Sequence, residues 1–259
     1  MKVVILVGGM GTRLSEDTQL RPKPMVEIGG KPILWHIMKL YSQYNFKEFI
    51  LCLGYKGYMI KEYFHHYLLH QSDVQISNGE VFYINKKDED WNVMMIDTGL
   101  YTQTGGRLRR IRDFLEGQDF MLTYGDGVCN VDLNDLLWQH SLDPMNKSGS
   151  PLVTMTTVQP PGRFGSVEIN PFGLITNFSE KQKSTWINGG FFVCNNASLN
   201  YIDGDDTQWE AKPLRSLAEE GYLHAYQHKG FWKCMDNLRD KNELEDLWNS
   251  GNAPWKVWG

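Results

Sequence analysis

Two stretches of this chain place residue types suited to phosphate and metal chemistry. The first runs Val3-Val4-Ile5-Leu6-Val7-Gly8-Gly9-Met10-Gly11-Thr12-Arg13-Leu14 and continues to Arg21-Pro22-Lys23-Pro24-Met25. Gly8, Gly9 and Gly11 let the backbone approach a ligand, and N–H groups in such a loop can point at phosphate oxygens. Arg13 and Lys23 add a planar cationic fork and a point charge. A loop of this kind, following a strand that ends near Leu6, suggests a nucleoside triphosphate. It is neither the Walker pattern nor the dinucleotide fingerprint, and its glycines alone fit a plain tight turn equally well. In the second stretch, Phe120-Met121-Leu122-Thr123-Tyr124-Gly125-Asp126-Gly127, an apolar strand delivers one carboxylate between two glycines. Mg²⁺ needs only one or two protein carboxylates, the rest coming from substrate phosphates and water. An ordinary Asp-Gly turn is the alternative.

Three further groups extend the list. Thr104-Gly105-Gly106 opens a helix with Arg107, Arg109, Arg110 and Arg112 behind it. That is a second candidate anion site, and a solvated basic helix face is the alternative. Glu180 and Lys181 can meet sugar hydroxyls and a sugar phosphate, and Asn188-Gly189-Gly190 lets a hexose lie against backbone. Asp236 is a second isolated acid, following Phe231-Trp232. His66 and His70, at i and i+4, have no third ligand close in the chain and read as ordinary histidines.

The elements that must position these groups follow from apolar patterning. Val3 to Val7 and Phe49 to Leu53 read as strands buried on both faces. Ile33, Ile37, Leu40 and Tyr41 fall on one helical face, as do Ile60, Tyr63, Phe64 and Tyr67. Strand–helix alternation implies a parallel sheet with ligands at its carboxyl ends. Residues 71–99 break the pattern, with short strands around Asn78-Gly79, and read as a β excursion beside the main sheet. Thr207 is the expected start of a helix through Pro213, Leu214 and Leu217.

Bulk properties bound the function. The 259 residues suffice for one large α/β domain, with 41% hydrophobic and 22% charged residues. A formal charge of −5 argues against a nucleic-acid or anionic-membrane partner. The four cysteines are scattered, which fits a reducing compartment and a cytoplasmic protein. At Asp126 the chain reads Gly-Asp-Gly where glycosyltransferases of similar fold place Asp-x-Asp, which counts against that class.

The combination G-G-x-G-T-R-L … P-K-P-M resembles the signature of the sugar-1-phosphate nucleotidylyltransferases. Pro160-Pro161-Gly162-Arg163-Phe164-Gly165 and Ile187-Asn188-Gly189-Gly190-Phe191-Phe192 are similar to blocks of its cytidylyl-transferring branch. The resemblance implies a Rossmann-like mixed, mostly parallel central sheet flanked by helices, with a small β insertion. It implies one domain over 1–259: a nucleotide-binding half to 150 and a sugar-phosphate half from 151. The implied reaction is CMP transfer from CTP to a sugar 1-phosphate, with glucose 1-phosphate expected, by direct in-line displacement. Arg13 and Lys23 would act on the phosphates. Leu6, Gly8, Gly9, Gly11, Thr12, Thr104, Gly105, Arg109 and Gly125 would hold the nucleotide. Glu180, Lys181, Asn188 and Gly189 would hold the sugar phosphate, and Asp126 and Asp236 the Mg²⁺. A homo-oligomer is also expected. The alternatives are a different phosphorylated acceptor, such as a polyol phosphate, and a non-catalytic nucleotide-binding regulator. The chain departs from the family pattern at Gln182 and Cys234, where Pro is usual, and at Asn237, where Thr is usual.

Overall fold

The computed structural model describes residues 1–10, 20–86, 89–141, 151–160, 166–169, 174–179 and 185–259, with backbone alone at 166–169, 175 and 177–179. Seven strands form the central sheet. They are β1 (Lys2–Leu6), β2 (Glu48–Leu53), β3 (Asn92–Asp97), β4 (Phe120–Tyr124), β5 (Val153–Val158), β6 (Ile187–Cys194) and β7 (Leu223–Gln227). Their spatial order is β7-β5-β6-β4-β1-β2-β3. All neighbours run parallel except β6, which is antiparallel to β5 and β4.

β1 sits inside this sheet, and Val3, Val4 and Ile5 are fully buried. Alternation splits its side chains between two cores. Val3 and Ile5 meet Ile33 and Ile37 of α1 (Ile33–Gln43), Ile60 of α2 (Gly57–His65) and Leu133 of the helix Leu133–Ser141. Val4 and Leu6 meet Leu108, Ile111, Leu214 and Leu217 on the opposite face. Each such buried side chain contributes roughly 1.5–3 kcal/mol. The packing therefore fixes the height at which β1 stops and the glycine turn begins.

Two expectations are corrected. The excursion is narrower than 71–99: only the hairpin Asp73–Ser77 with Glu80–Ile84 leaves the main sheet, turning through Asn78 and Gly79 at positive φ. Residues 92–97 instead form edge strand β3, in parallel register with β2. Their apolar residues, Val93, Met94, Met95 and Ile96, are contiguous, although at this sheet edge none of them is fully buried and Met94 is exposed. The helix expected from Thr207 begins at Lys212 and runs to Glu219, with Pro213 in its first turn. Thr207 Oγ1 accepts from Gly204 N (3.1 Å) and closes a preceding turn. No helix among the described residues is long and apolar enough to cross a membrane.

His36 of α1 is packed among Trp35, Trp248 and Trp255. Its Nε2 lies 2.8 Å from Ile28 O, and its Nδ1 accepts from Trp255 Nε1 (3.3 Å), so the neutral ring satisfies both neighbours. Burial pulls its pKa from 6.5 to about 4, against the hydrogen bond to Ile28. The unfolded chain takes up this proton first, so stability falls as pH drops from about 6.5 towards 4. The loss is expected to reach on the order of 3 kcal/mol. Urea unfolding at both ends of that range checks it: His36→Gln should lose distinctly less on acidification than the wild type.

Candidate active site

The strand order reverses beside β1: β2 and β3 lie on one flank, β4 and the later strands on the other. Ligands of open α/β sheets bind at such a point, beyond the carboxyl ends of the strands. A cavity of about 340 Å³ opens there. Its lining includes Leu6 at the end of β1 with Gly8 and Gly9 beyond it, and Tyr124 at the end of β4 with Gly125 and Asp126 beyond it. Lys23, Thr104, Arg107 and Asp236 complete its polar wall.

Lys23 is held at its centre by a short 3₁₀ turn, Lys23–Met25, flanked by prolines and anchored by buried Pro24 and Met25. Its Nζ donates to Asp126 Oδ2 (2.7 Å) and to Asp236 Oδ1 (2.9 Å). Burial works against the ammonium, but attraction to Asp126, with hydrogen bonds to both acids, outweighs it and raises the pKa above the ordinary lysine value. The lysine is therefore charged, and the trio keeps one net negative charge.

A small ribbon brings the two acids together across 110 residues of chain. Gly127–Cys129 pairs antiparallel with Trp232–Cys234, and Met235 N donates to Asp126 O (2.9 Å). Behind Asp236, buried Asp240 accepts from the Asp236 backbone N–H (3.1 Å) and pairs with Lys233 (3.1 Å). Asn237 caps the helix Leu238–Asn249 by accepting from Asp240 N (3.0 Å). Thr is also a favoured, somewhat weaker cap, so this departure keeps the structural role.

Thr104 Oγ1 donates to Glu210 Oε2 (2.6 Å), Tyr124 donates its hydroxyl to Glu210 Oε1, and Asn188 Nδ2 reaches Tyr124 Oη (3.4 Å). Asn188 is thereby linked to the cavity wall without lining it. Gly189, held through its carbonyl by Trp232 Nε1 (2.7 Å), lies beside it. Gly11, Thr12, Arg13, Glu180 and Lys181 lie outside the described residues.

Arg109 does not reach the cavity; its Nη1 donates to Asp203 O (3.1 Å) at an exposed position. Arg107 takes the inner position. Its Nη1 is shared among Leu53 O (2.9 Å), Thr98 Oγ1 (2.7 Å) and Gly99 O (2.9 Å), while Nη2 donates to Gly8 O (3.1 Å). Among the described residues these partners are all neutral oxygens. Burial draws the pKa down, yet a guanidinium stays protonated in proteins. It thus sets a positive charge into the cavity floor. Helical phase is the signal that separates the two arginines: 104, 107, 108 and 111 share the face marked by Leu108 and Ile111.

Gly105 also stands apart from the cavity. A Cβ there would lie 2.7 Å from Thr207 O, and one on Gly106 would lie 2.4 Å from Asp205 O. These glycines let the helix Thr104–Arg110 press against segment 205–209, which carries Glu210 to the cavity. That close approach is a packing role for both glycines. Glu210, Thr102 and Gln103 are placed at or beside the cavity by irregular chain, and no local pattern marks them.

Together these features describe an α/β protein with a cavity at the sheet's switch point that is lined by two acids, a lysine and an arginine. The nucleotidyl transferase family model matches residues 2–244, and the chain belongs to that family. It is 51% identical over 263 residues, covering all of both chains, to glucose-1-phosphate cytidylyltransferase of Salmonella typhimurium. It is 42% identical, again over the full length of both, to the probable glucose-1-phosphate cytidylyltransferase of Bacillus subtilis. Among solved structures, HddC from Yersinia pseudotuberculosis superposes with a TM-score of 0.69, covering 95% of this chain and 99% of that one at 24% identity. That last likeness concerns the fold.

Proposed function

We propose that the chain transfers CMP from CTP to α-D-glucose 1-phosphate, releasing pyrophosphate and forming CDP-glucose. The observation that supports this most is Lys23 clamped between Asp126 and Asp236 at the switch point of a full-length relative of glucose-1-phosphate cytidylyltransferases. In this reading the backbone at Gly8 and Gly9, with Arg13, cradles the triphosphate. Thr104, Gly125 and Arg107 bound the nucleotide. Asn188 and Gly189, with Glu180 and Lys181, receive the sugar phosphate.

The donor set also suits a metal. Asp126, Cys234 and Asp236 each offer one ligand atom, all within 4.8 Å of one another. Two carboxylates plus substrate phosphates are a sufficient site for Mg²⁺. When bound there, the ion would neutralise charge on the α-phosphate. The acceptor's phosphate oxygen attacks the α-phosphorus in line and pyrophosphate departs. A phosphate dianion is already a competent nucleophile, so the chain supplies position and charge. Lys23 moves from the acids onto the phosphates, neutralising them as the transition state forms.

The hairpin 73–84 exposes Ile76, Val81, Phe82, Tyr83 and Ile84. Contiguous apolar exposure of this kind supports a homo-oligomer built through it. Four cysteines free of disulfides suit the cytoplasm.

A pyrophosphate-release assay tests the reading. Four nucleoside triphosphates are offered against a panel of sugar and polyol phosphates with Mg²⁺. CTP with glucose 1-phosphate should give the highest kcat/KM. Preference for a polyol phosphate would move the acceptor assignment, and silence with every pair would refute the reaction.

A further inference from the structure

We propose that Cys234 is a third ligand of the divalent-metal site of Asp126 and Asp236, giving it a preference for thiophilic ions that two carboxylates alone lack. The inference rests on the metal reading above and adds a donor of different chemistry. The family pattern that the sequence resembles has Pro at this position, which offers no donor atom.

The backbone explains the placement. Cys234 ends the strand Trp232–Cys234, and the chain continues through Met235 to Asp236. Met235 is fully buried in the core under β1. Residues two apart on an extended chain point the same way. Cys234 and Asp236 therefore face together away from Met235, with the sulfur and an Asp236 carboxylate oxygen within 4.8 Å of each other. Opposite Cys234 in the ribbon stands Gly127, which has no side chain to intervene beside Asp126. Sulfur and the two carboxylate oxygens thus converge on one point.

On loading with nucleotide, the metal–sulfur bond forms as the S–H proton passes to solvent, and Lys23 transfers to the phosphates. No oxidant or reductant is required. Thiolate favours Zn²⁺, Cd²⁺ and Co²⁺ over Mg²⁺, which prefers hard oxygen donors. Cys52, Cys129 and Cys194 are buried, so Cys234 is the partly accessible thiol of the chain.

The test uses the full chain with CTP present, acceptor omitted and Co²⁺ as probe. The wild type should show visible cobalt bands and a near-ultraviolet sulfur-to-cobalt charge-transfer band. Cys234→Ser should keep the visible bands and lose the charge-transfer band. In parallel, Cys234→Ser should weaken Cd²⁺ binding roughly tenfold or more while leaving Mg²⁺ binding nearly unchanged. Visible bands without a charge-transfer band in the wild type overturn the sulfur ligand and leave the two-carboxylate site standing. No cobalt signal in either protein overturns both.

Discussion

Lys23→Met is expected to lower kcat by roughly 10²–10³-fold in the pyrophosphate-release assay, the scale of losing one preorganised charge donor at a developing anion. The variant keeps the aliphatic stem that packs in the 3₁₀ turn and removes only the ammonium. Asp126 and Asp236 stay about one-third exposed, with side-chain values of 31% and 35%, so water can solvate them and the fold should survive. The same variant should bind Mn²⁺ more tightly than the wild type when nucleotide is absent. The lysine and the metal compete for the same two carboxylates, and deletion leaves a pair of like charges facing each other. Titration calorimetry with Mn²⁺, with and without CTP, separates the two readings of Lys23. A purely structural cation would be replaced by metal, and turnover would stay near the wild-type value.

Arg107→Met should have an effect of comparable size with a different signature. Arg107 is 4% exposed and joins the carbonyls of Gly8, Leu53 and Gly99 to Thr98. Those carbonyls belong to the carboxyl ends of β1, β2 and β3. Methionine fills some of the volume and leaves the acceptors without a donor. Hydrogen bonds to a charged group contribute about 1.5–3 kcal/mol each, and their loss is partly shared. Stability should therefore fall by roughly 3 kcal/mol, with weaker CTP binding on top. Lysine should rescue only part, because a point charge cannot span acceptors arranged for a planar fork. A Cβ on Gly8 would lie 2.2 Å from Arg107 Nη1. Gly8→Ala should accordingly reproduce part of the Arg107→Met defect. Urea unfolding and CTP calorimetry check all three variants, and an unshifted unfolding midpoint in Arg107→Met would remove Arg107 from this role.

The parts of the molecule legible in the sequence are those governed by local rules. Val3 to Val7 announced a doubly buried strand because its apolar run has no polar face. Asp126 stands out only beside the first glycine loop, because an Asp-Gly turn at a strand end is common on its own. Asn78-Gly79 marked its turn because that turn needs positive φ at both positions. The rest depends on long-range packing. Choosing Arg107 over Arg109 required the phase of a helix only seven residues long. Placing residues 92–97 in the main sheet required knowing that β2 had an open edge. Nothing near Glu210 in the chain says that a pair of glycines 100 residues earlier clears space for its approach. Of its two hydrogen-bond partners among the described residues, Thr104 was marked by its motif and Tyr124 only as the end of a strand.

The central claim is that one polyphosphate takes Lys23 away from the two acids as a metal takes its place. A crystal structure with CTP and Mn²⁺, read by anomalous scattering, tests it most directly. The account predicts a manganese peak between Asp126 and Asp236, with Lys23 Nζ turned onto the phosphates. A triphosphate bound elsewhere, with Lys23 still bridging both carboxylates and no peak between them, would contradict it.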